Sequence, residues 1–168
     1  MAREYRTVFG AVEPLTGDLF YMIEPPKPKP DKKKMGRPYK NTPIEKPQVK
    51  PKGDKSKSMN EFMQRLTAAY PNDRIVLVCD NAGWHKSKYV VIPEKITMLF
   101  IPPNTPEMNP IEQIWREIRT LGFANIYFKT IQAVEATIHS TISALPQEKI
   151  QSITQRDWFM KSFKAKVG

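Results

Sequence analysis

At 168 residues with 40% hydrophobic content, the chain is long enough for one domain with a real core and short for two. A single cysteine, Cys79, excludes an internal disulfide, no apolar run approaches the roughly 18 residues of a membrane helix, and the polar start MAREYRTVFG excludes a signal peptide; a cytoplasmic protein with no membrane role is expected. The net charge of +10 is local, because residues 25–58 hold twelve Lys and Arg against three acidic residues, a net +9 that leaves +1 for the rest. That concentration points to a polyanionic partner for one segment.

Taken in order, residues 5–12 (YRTVFGAV) read as a strand, Leu15-Thr16-Gly17-Asp18 as a turn, and Leu19–Ile23 (LFYMI) as a second strand. Two such runs joined by a short Gly-containing loop predict an antiparallel hairpin. From Glu24 the composition shifts: eight prolines fall between Pro25 and Pro51, with almost nothing apolar. Such a stretch buries too little surface to offset its ordering entropy and is expected to be disordered or polyproline-like. A solvated linker is one account of it. A DNA arm is the other, since Lys32-Lys33-Lys34-Met35-Gly36-Arg37-Pro38, followed by Lys40, resembles the core of an AT-hook. Arginine inserted into a narrow minor groove is favoured by its negative potential, although Met35 and Tyr39 depart from the usual basic flanks.

Order resumes with Met59, Phe62, Met63, Leu66 and Tyr70 at helical spacing. Ser58 is the expected N-cap, with Glu61 completing a capping box. Ile75–Cys79 is a short run apolar on both faces, which predicts a central strand. Ser87–Ile92 forms a turn or short helix, and Ile96–Ile101 another strand. After the stiff loop Pro102-Pro103-Asn104-Thr105-Pro106, a helix starts with Asn109 as N-cap and Pro110 at its first position. Its apolar face is Ile111, Ile114, Trp115, Ile118 and Leu121. A further helix spans about 130–145, and a last amphipathic piece is expected over Lys149–Trp158. Strands that are first antiparallel and then joined by crossovers imply a mixed sheet covered by helices. The expected organisation is a core formed by 1–24 and 59–160, interrupted by the basic insert 25–58.

Two carboxylates stand out within this frame. Asp80 follows the apolar run IVLVC and enters the turn Asn81-Ala82-Gly83; Glu112, 32 positions later, lies at the third position of a helix. Sites in open α/β sheets form beyond the carboxyl ends of strands. Each residue also has a plainer account: Asp80 caps a turn, and Glu112 complements a helix dipole for about 0.3–1 kcal/mol. Arg116 and Arg119, one and two turns beyond Glu112, are either an ion-pair stripe or phosphate contacts. Taken together, the two carboxylates suit Mg²⁺ or Mn²⁺. No His/Cys spacing suits zinc, and neither a phosphate-cradling glycine loop nor a nucleophile elbow is present.

The stretch from Val78 to His85 (VCDNAGWH) and that from Pro102 to Trp115 (PPNTPEMNPIEQIW) resemble the catalytic core of mariner-related bacterial insertion-sequence transposases. The resemblance covers Arg6–Ile23 and Met59 to about Leu145, with the basic insert outside it. It implies a ribonuclease-H-like DDE endonuclease fold, Mg²⁺ (or Mn²⁺) held by three carboxylates, and cutting and joining of DNA at transposon ends and target. Asp80 matches the second carboxylate of that triad and Glu112 the last. Trp84 and His85 have either DNA- or water-orienting roles or a packing role, and Lys86 joins His85, Arg116 and Arg119 as an expected DNA contact. The first Asp of the family lies on a strand preceding the hairpin, which this chain does not include, and Asp18 sits in the hairpin turn and is no substitute for it. The helix-turn-helix part of such a transposase is an expected partner, and a homodimer is a further one. Alone, with two of three carboxylates, the chain is expected to carry out little or no strand transfer, and a non-catalytic DNA-binding remnant is the alternative.

Overall fold

In a computed structural model the chain is described over residues 5–26, 55–103 and 105–157. Strand β1 (Val8–Glu13) pairs antiparallel with β2 (Asp18–Ile23), in a register running from Val8↔Ile23 to Glu13↔Asp18. The turn between them closes on Glu13, whose carboxylate accepts from the Leu15 and Thr16 amides at 3.1 and 2.5 Å. Gly17 ends the turn at φ +78°, in left-handed backbone, where a Cβ would also meet the Gln147 carbonyl at 2.6 Å.

The hairpin is apolar on both faces, and both are covered. Phe9, Ala11, Phe20 and Met22 point to one side and join Met59, Phe62, Met63 and Leu66 of helix α1 (Ser56–Ala69). Val8, Val12, Leu19, Tyr21 and Ile23 point to the other, where they meet Ile114, Ile118, Ile138, Ile142 and Ile150 of three later helices. Phe9 and Met22 are the buried ones and contribute about 1.5–3 kcal/mol each, and the two faces of a short hairpin thereby tie together two hydrophobic clusters.

Helix α1 starts two residues before the expected cap. Lys55 is the N-cap and makes no side-chain capping bond. Ser58 instead lies within the first turn and donates to Glu24 Oε1 at 2.6 Å, fastening the helix to the end of the hairpin. The tertiary contact outcompetes the local capping box.

Strand β3 (Ile75–Cys79) pairs in parallel with β4 (Ile96–Phe100), Cys79 standing opposite Phe100. Parallel neighbours need a crossover, here the turn-rich segment 80–95. Asn60 of α1 clips it in place: its amide donates to Tyr89 O at 3.0 Å and accepts from Val91 N at 2.9 Å. Leu77, Cys79 and Ile96 enter the α1-side cluster. The opposite face is open, with Val76 62% and Leu99 56% exposed, so the expectation that β3 is buried on both faces is corrected. The later helices pack on the hairpin and leave that face uncovered. The two pairs are also separate two-stranded sheets among the described residues, one antiparallel and one parallel, so the single mixed sheet expected from the sequence is not assembled.

Helix α2 (Pro110–Gly122) packs on β1, on α3 (Ile131–Ser143) and on α4 (Gln147–Thr154). Gln113, Ile114 and Ile118 face inward, whereas Leu121, expected in the core, is 58% exposed. Three positions beyond Ile118 it falls outside the inward i, i+4 row. Thr130 caps α3, accepting from Ala133 N at 3.2 Å. Helix α4 begins two residues earlier than expected, directly after Pro146, and ends at Thr154. Its end is set by Gln151 and Gln155, whose amides donate to Leu15 O and Pro14 O, each at 2.8 Å, in the hairpin turn. Trp158 and the expected AT-hook-like segment lie outside the described residues. The fold is a mixed α/β arrangement of two small sheets and four α-helices, and no described helix is long and apolar enough to cross a membrane.

Candidate active site

The carboxyl ends of β3 and β4 lie side by side, and both lead into loops that carry side chains. Ile101 N donates to Cys79 O at 3.0 Å, extending the pairing by one residue beyond β4. At that point β3 releases Asp80 into a tight turn. Asp80 Oδ1 accepts from Ala82 N at 3.1 Å, an Asx turn. His85 folds back over it, placing Nδ1 2.9 Å from Asp80 Oδ1 and 3.0 Å from the Asp80 carbonyl. The His85 side chain is 10% exposed and that of Asp80 56%. Trp84 stacks beside His85, with ring centroids 3.7 Å apart, and meets Phe9 edge-on at 5.9 Å. A core aromatic therefore braces the imidazole, and the imidazole braces the carboxylate. Asp80 Oδ2 has no partner among the described residues.

On the second side, Thr105 Oγ donates to Pro102 O at 2.6 Å and Met108 N to Thr105 O at 3.0 Å, turning the proline loop into a 3-10 turn at Pro106–Met108. Asn109 is extended (φ −97°, ψ 108°) and Pro110 opens α2, where its fixed φ and missing N–H cost nothing. Glu112 lies in the first turn of α2, its N–H donating to Asn109 O at 3.0 Å. It forms no ion pair with Arg116 or Arg119, so an ion-pair stripe does not account for it.

Asp80 and Glu112 line one cavity of about 350 Å³, together with Asn81, Ile101, Pro102, Pro103, Thr105 and Asn109. Asn81 was legible in the sequence only as a turn residue. Its Nδ2 donates to Ile101 O at 2.7 Å, clamping the exit of β3 to that of β4, while its Oδ1 is buried without a partner. The cavity is thus lined by Asp80, one of whose oxygens has no partner among the described residues, by Glu112 and by Asn81. An all-oxygen donor set of this kind suits a hard divalent cation such as Mg²⁺ or Mn²⁺. Cys79 is not available to bind metal: burial, with Asp80 beside it, pushes its thiol up to about 12. Among the described residues no group of three or more His, Cys, Asp or Glu converges to hold a metal. Asp18 is occupied elsewhere, accepting from Gln147 Nε2 at 2.9 Å.

Among the described residues, the remaining candidates do not line this cavity. Lys86 is exposed, its Nζ 5.0 Å from the Phe100 ring centroid. Arg116 and Arg119 are exposed on α2. Arg116 faces a wider opening of about 610 Å³ between α2 and α4, away from the strand ends, in which Glu117 is paired with Lys149 at 3.1 Å. Lys32, Lys33, Lys34, Arg37 and Lys40 lie outside the described residues.

A strand-end carboxylate, Asp80, and a helix-start carboxylate, Glu112, line one cavity on a mixed α/β scaffold, which makes it a site of oxygen donors. The chain belongs to the DDE superfamily endonuclease family, which matches residues 39–135. The matched span runs from Tyr39 to Glu135. The chain is also similar to a curated protein of Sinorhizobium fredii (strain NBRC 101917 / NGR234) described as "Uncharacterized protein y4pE/y4sA", at 35% identity over 89 residues. That alignment takes in 52% of this chain and 66% of the relative, a little under two thirds of its length. No solved structure matches. Nucleases of that superfamily typically use divalent metal ions.

Proposed function

We propose that this chain is catalytic-core material of a mariner-related transposase, and that Asp80 and Glu112 are two of the three carboxylates of a ribonuclease-H-like DDE site. The observation that carries this reading is the convergence of the two carboxylates, 32 positions apart, on one cavity at the strand ends. Segments 1–24 and 59–160 act as one catalytic unit, with 25–58 as a basic DNA-contacting insert, and the third carboxylate comes from outside the described residues.

In this reading Asp80, through its free Oδ2, and Glu112 hold Mg²⁺ or Mn²⁺. An ion held there would supply Lewis-acid assistance to phosphodiester exchange. Everything else is done by the chain itself. Ala82 N–H and His85 fix one oxygen of Asp80, so that the other is presented in a single orientation. The proline loop and the Pro110 start hold Glu112 on rigid backbone, which limits reorganisation when DNA enters. Lys86, Arg116 and Arg119 supply phosphate contacts that position the strand without reading its sequence.

The test is nicking and joining of terminal-repeat DNA by this chain combined with the segment that supplies the first carboxylate, in Mg²⁺ or Mn²⁺. Asp80→Ala and Glu112→Ala are each expected to abolish both steps; activity that survives either change refutes the assignment. A second reading, a non-catalytic DNA-binding protein, is favoured by the +9 charge of residues 25–58. It requires salt-sensitive DNA binding that persists in the double carboxylate variant and disappears on deletion of 27–54, which spares α1.

A further inference from the structure

We propose that the opening between α2 and the end of α4 is a second binding site, for a backbone phosphate of DNA, formed by Arg116, Arg156 and Gln113; this rests on reading the chain as one that acts on DNA and is independent of the carboxylate assignment. All three residues line that one cavity of about 610 Å³. Arg156 is fixed there by a neutral group, its Nη2 donating to Gln113 Oε1 at 3.0 Å. A carboxamide orients a guanidinium without cancelling its charge, and the other N–H groups of Arg156 have no acceptor among the described residues. Arg116 forms no ion pair and no side-chain hydrogen bond among them either. Gln113 is only 8% exposed, so it is a fixed part of the fold. Its Oε1 faces a donor, which makes the second amide atom Nε2, a donor itself. Nε2 has no partner among the described residues and is not enclosed, so it opens on the cavity that Gln113 lines.

Two guanidiniums and an amide N–H₂ only donate, and they call for an anion with several acceptor oxygens. The carboxylates of the lining leave that need unmet. Glu117 is paired with Lys149 at 3.1 Å, and Asp157 forms no ion pair with either arginine. With Glu117 neutralised, two positive charges stand against one negative. Phosphate oxygens match the paired N–H groups of a guanidinium, which hold them more specifically than a point charge does. Asp80 and Glu112 line a different cavity, so a phosphate bound here is not the one beside those carboxylates. It is a second anchor that positions the strand without reading its sequence.

The experiment measures binding of a fluorescein-labelled mixed-sequence duplex to the full chain by anisotropy at one salt concentration, and of inorganic phosphate by calorimetry. The proteins are the parent, Arg116→Gln, Arg156→Gln, the double variant and Arg74→Gln. Arg74 is exposed and lines neither cavity, so its loss gauges the effect of charge alone. Arg116→Gln and Arg156→Gln are each expected to weaken DNA binding by about tenfold, clearly more than Arg74→Gln. The double variant is expected to lose less than the product of the two, because both arginines grip one phosphate. Losses no larger than that of Arg74→Gln, or single losses that multiply in the double variant, overturn the inference and leave dispersed surface charge. Inorganic phosphate binding that the arginine changes abolish while DNA binding stays at the parent level assigns the cavity to a free phosphate compound, which also overturns it. In each of those cases the reading of the chain as DNA-acting stands. A parent that binds no DNA overturns that reading and this inference with it.

Discussion

Gly10 lies at the contact that seats α2, and therefore Glu112, on the hairpin. A Cβ built there would stand 2.6 Å from Trp115 Cζ2, 2.7 Å from Cη2 and 3.1 Å from Ile111 Cδ1. Ordinary carbon–carbon contact is about 3.5–4 Å, so Gly10→Ala forces the indole or the strand to move by roughly 1 Å. Overpacking of this size costs about 1–3 kcal/mol, which corresponds to a fall in Tm of roughly 2–12 °C at about 2–4 °C per kcal/mol. Thermal unfolding followed by circular dichroism measures it. Trp115→Phe removes the two nearest atoms, so adding Gly10→Ala to that background is expected to cost less than half as much, a coupling read from the double-mutant cycle. A Gly10→Ala protein that melts with the parent, or effects that simply add, would refute the packing of Trp115 on β1.

Removing both polar atoms of the crossover clip with Asn60→Ala is expected to cost about 1–3 kcal/mol and to speed hydrogen exchange at Val91 N–H, which Asn60 Oδ1 accepts; unchanged exchange would show that the clip does not hold the segment. Cys79 is expected to resist thiol reagents in the folded protein and react only on unfolding. Its raised pKa also has a pH consequence. The unfolded thiol ionises near 9 while the folded one stays protonated until about 12, so the folded state binds more protons in between. Its stabilising contribution is complete below pH 9 and is lost at about 1.4 kcal/mol per pH unit above it; a Cys79→Ala protein should show a flatter decline in stability between pH 9 and 11, and an identical slope would count against burial of the thiol. Deleting residues 27–54, which leaves α1 and its Ser58–Glu24 bond intact, should remove most of the salt dependence of DNA binding, seen as a much shallower plot of log affinity against log salt, and a retained slope would place the DNA contacts on the folded core.

Much of the local structure was legible because it rests on short-range chemistry. The two strand runs of 5–23, the Gly17 turn, the helical spacing of Met59 to Leu66 and the Asn109-Pro110 start all reappear within a few residues. The elements that departed from expectation did so through contacts between distant parts of the chain. Ser58 left its capping role for Glu24, 34 residues away. The α4 boundary was set by Gln151 and Gln155 reaching the hairpin turn. Val76 and Leu99 read as core by hydropathy alone, and only helix placement shows that nothing among the described residues covers them.

By itself the sequence determined the two carboxylates and the elements that carry them, because a strand end and a helix start are written in neighbouring residues. The motifs around them also carried the resemblance to the DDE family. Tertiary structure decided what those carboxylates meet: a shared cavity, a His85 brace behind Asp80, and an Asn81 clamp with one oxygen unanswered. Pairing of β3 with β4 across a 16-residue crossover creates that neighbourhood, and no spacing along the chain encodes which atoms it leaves without partners.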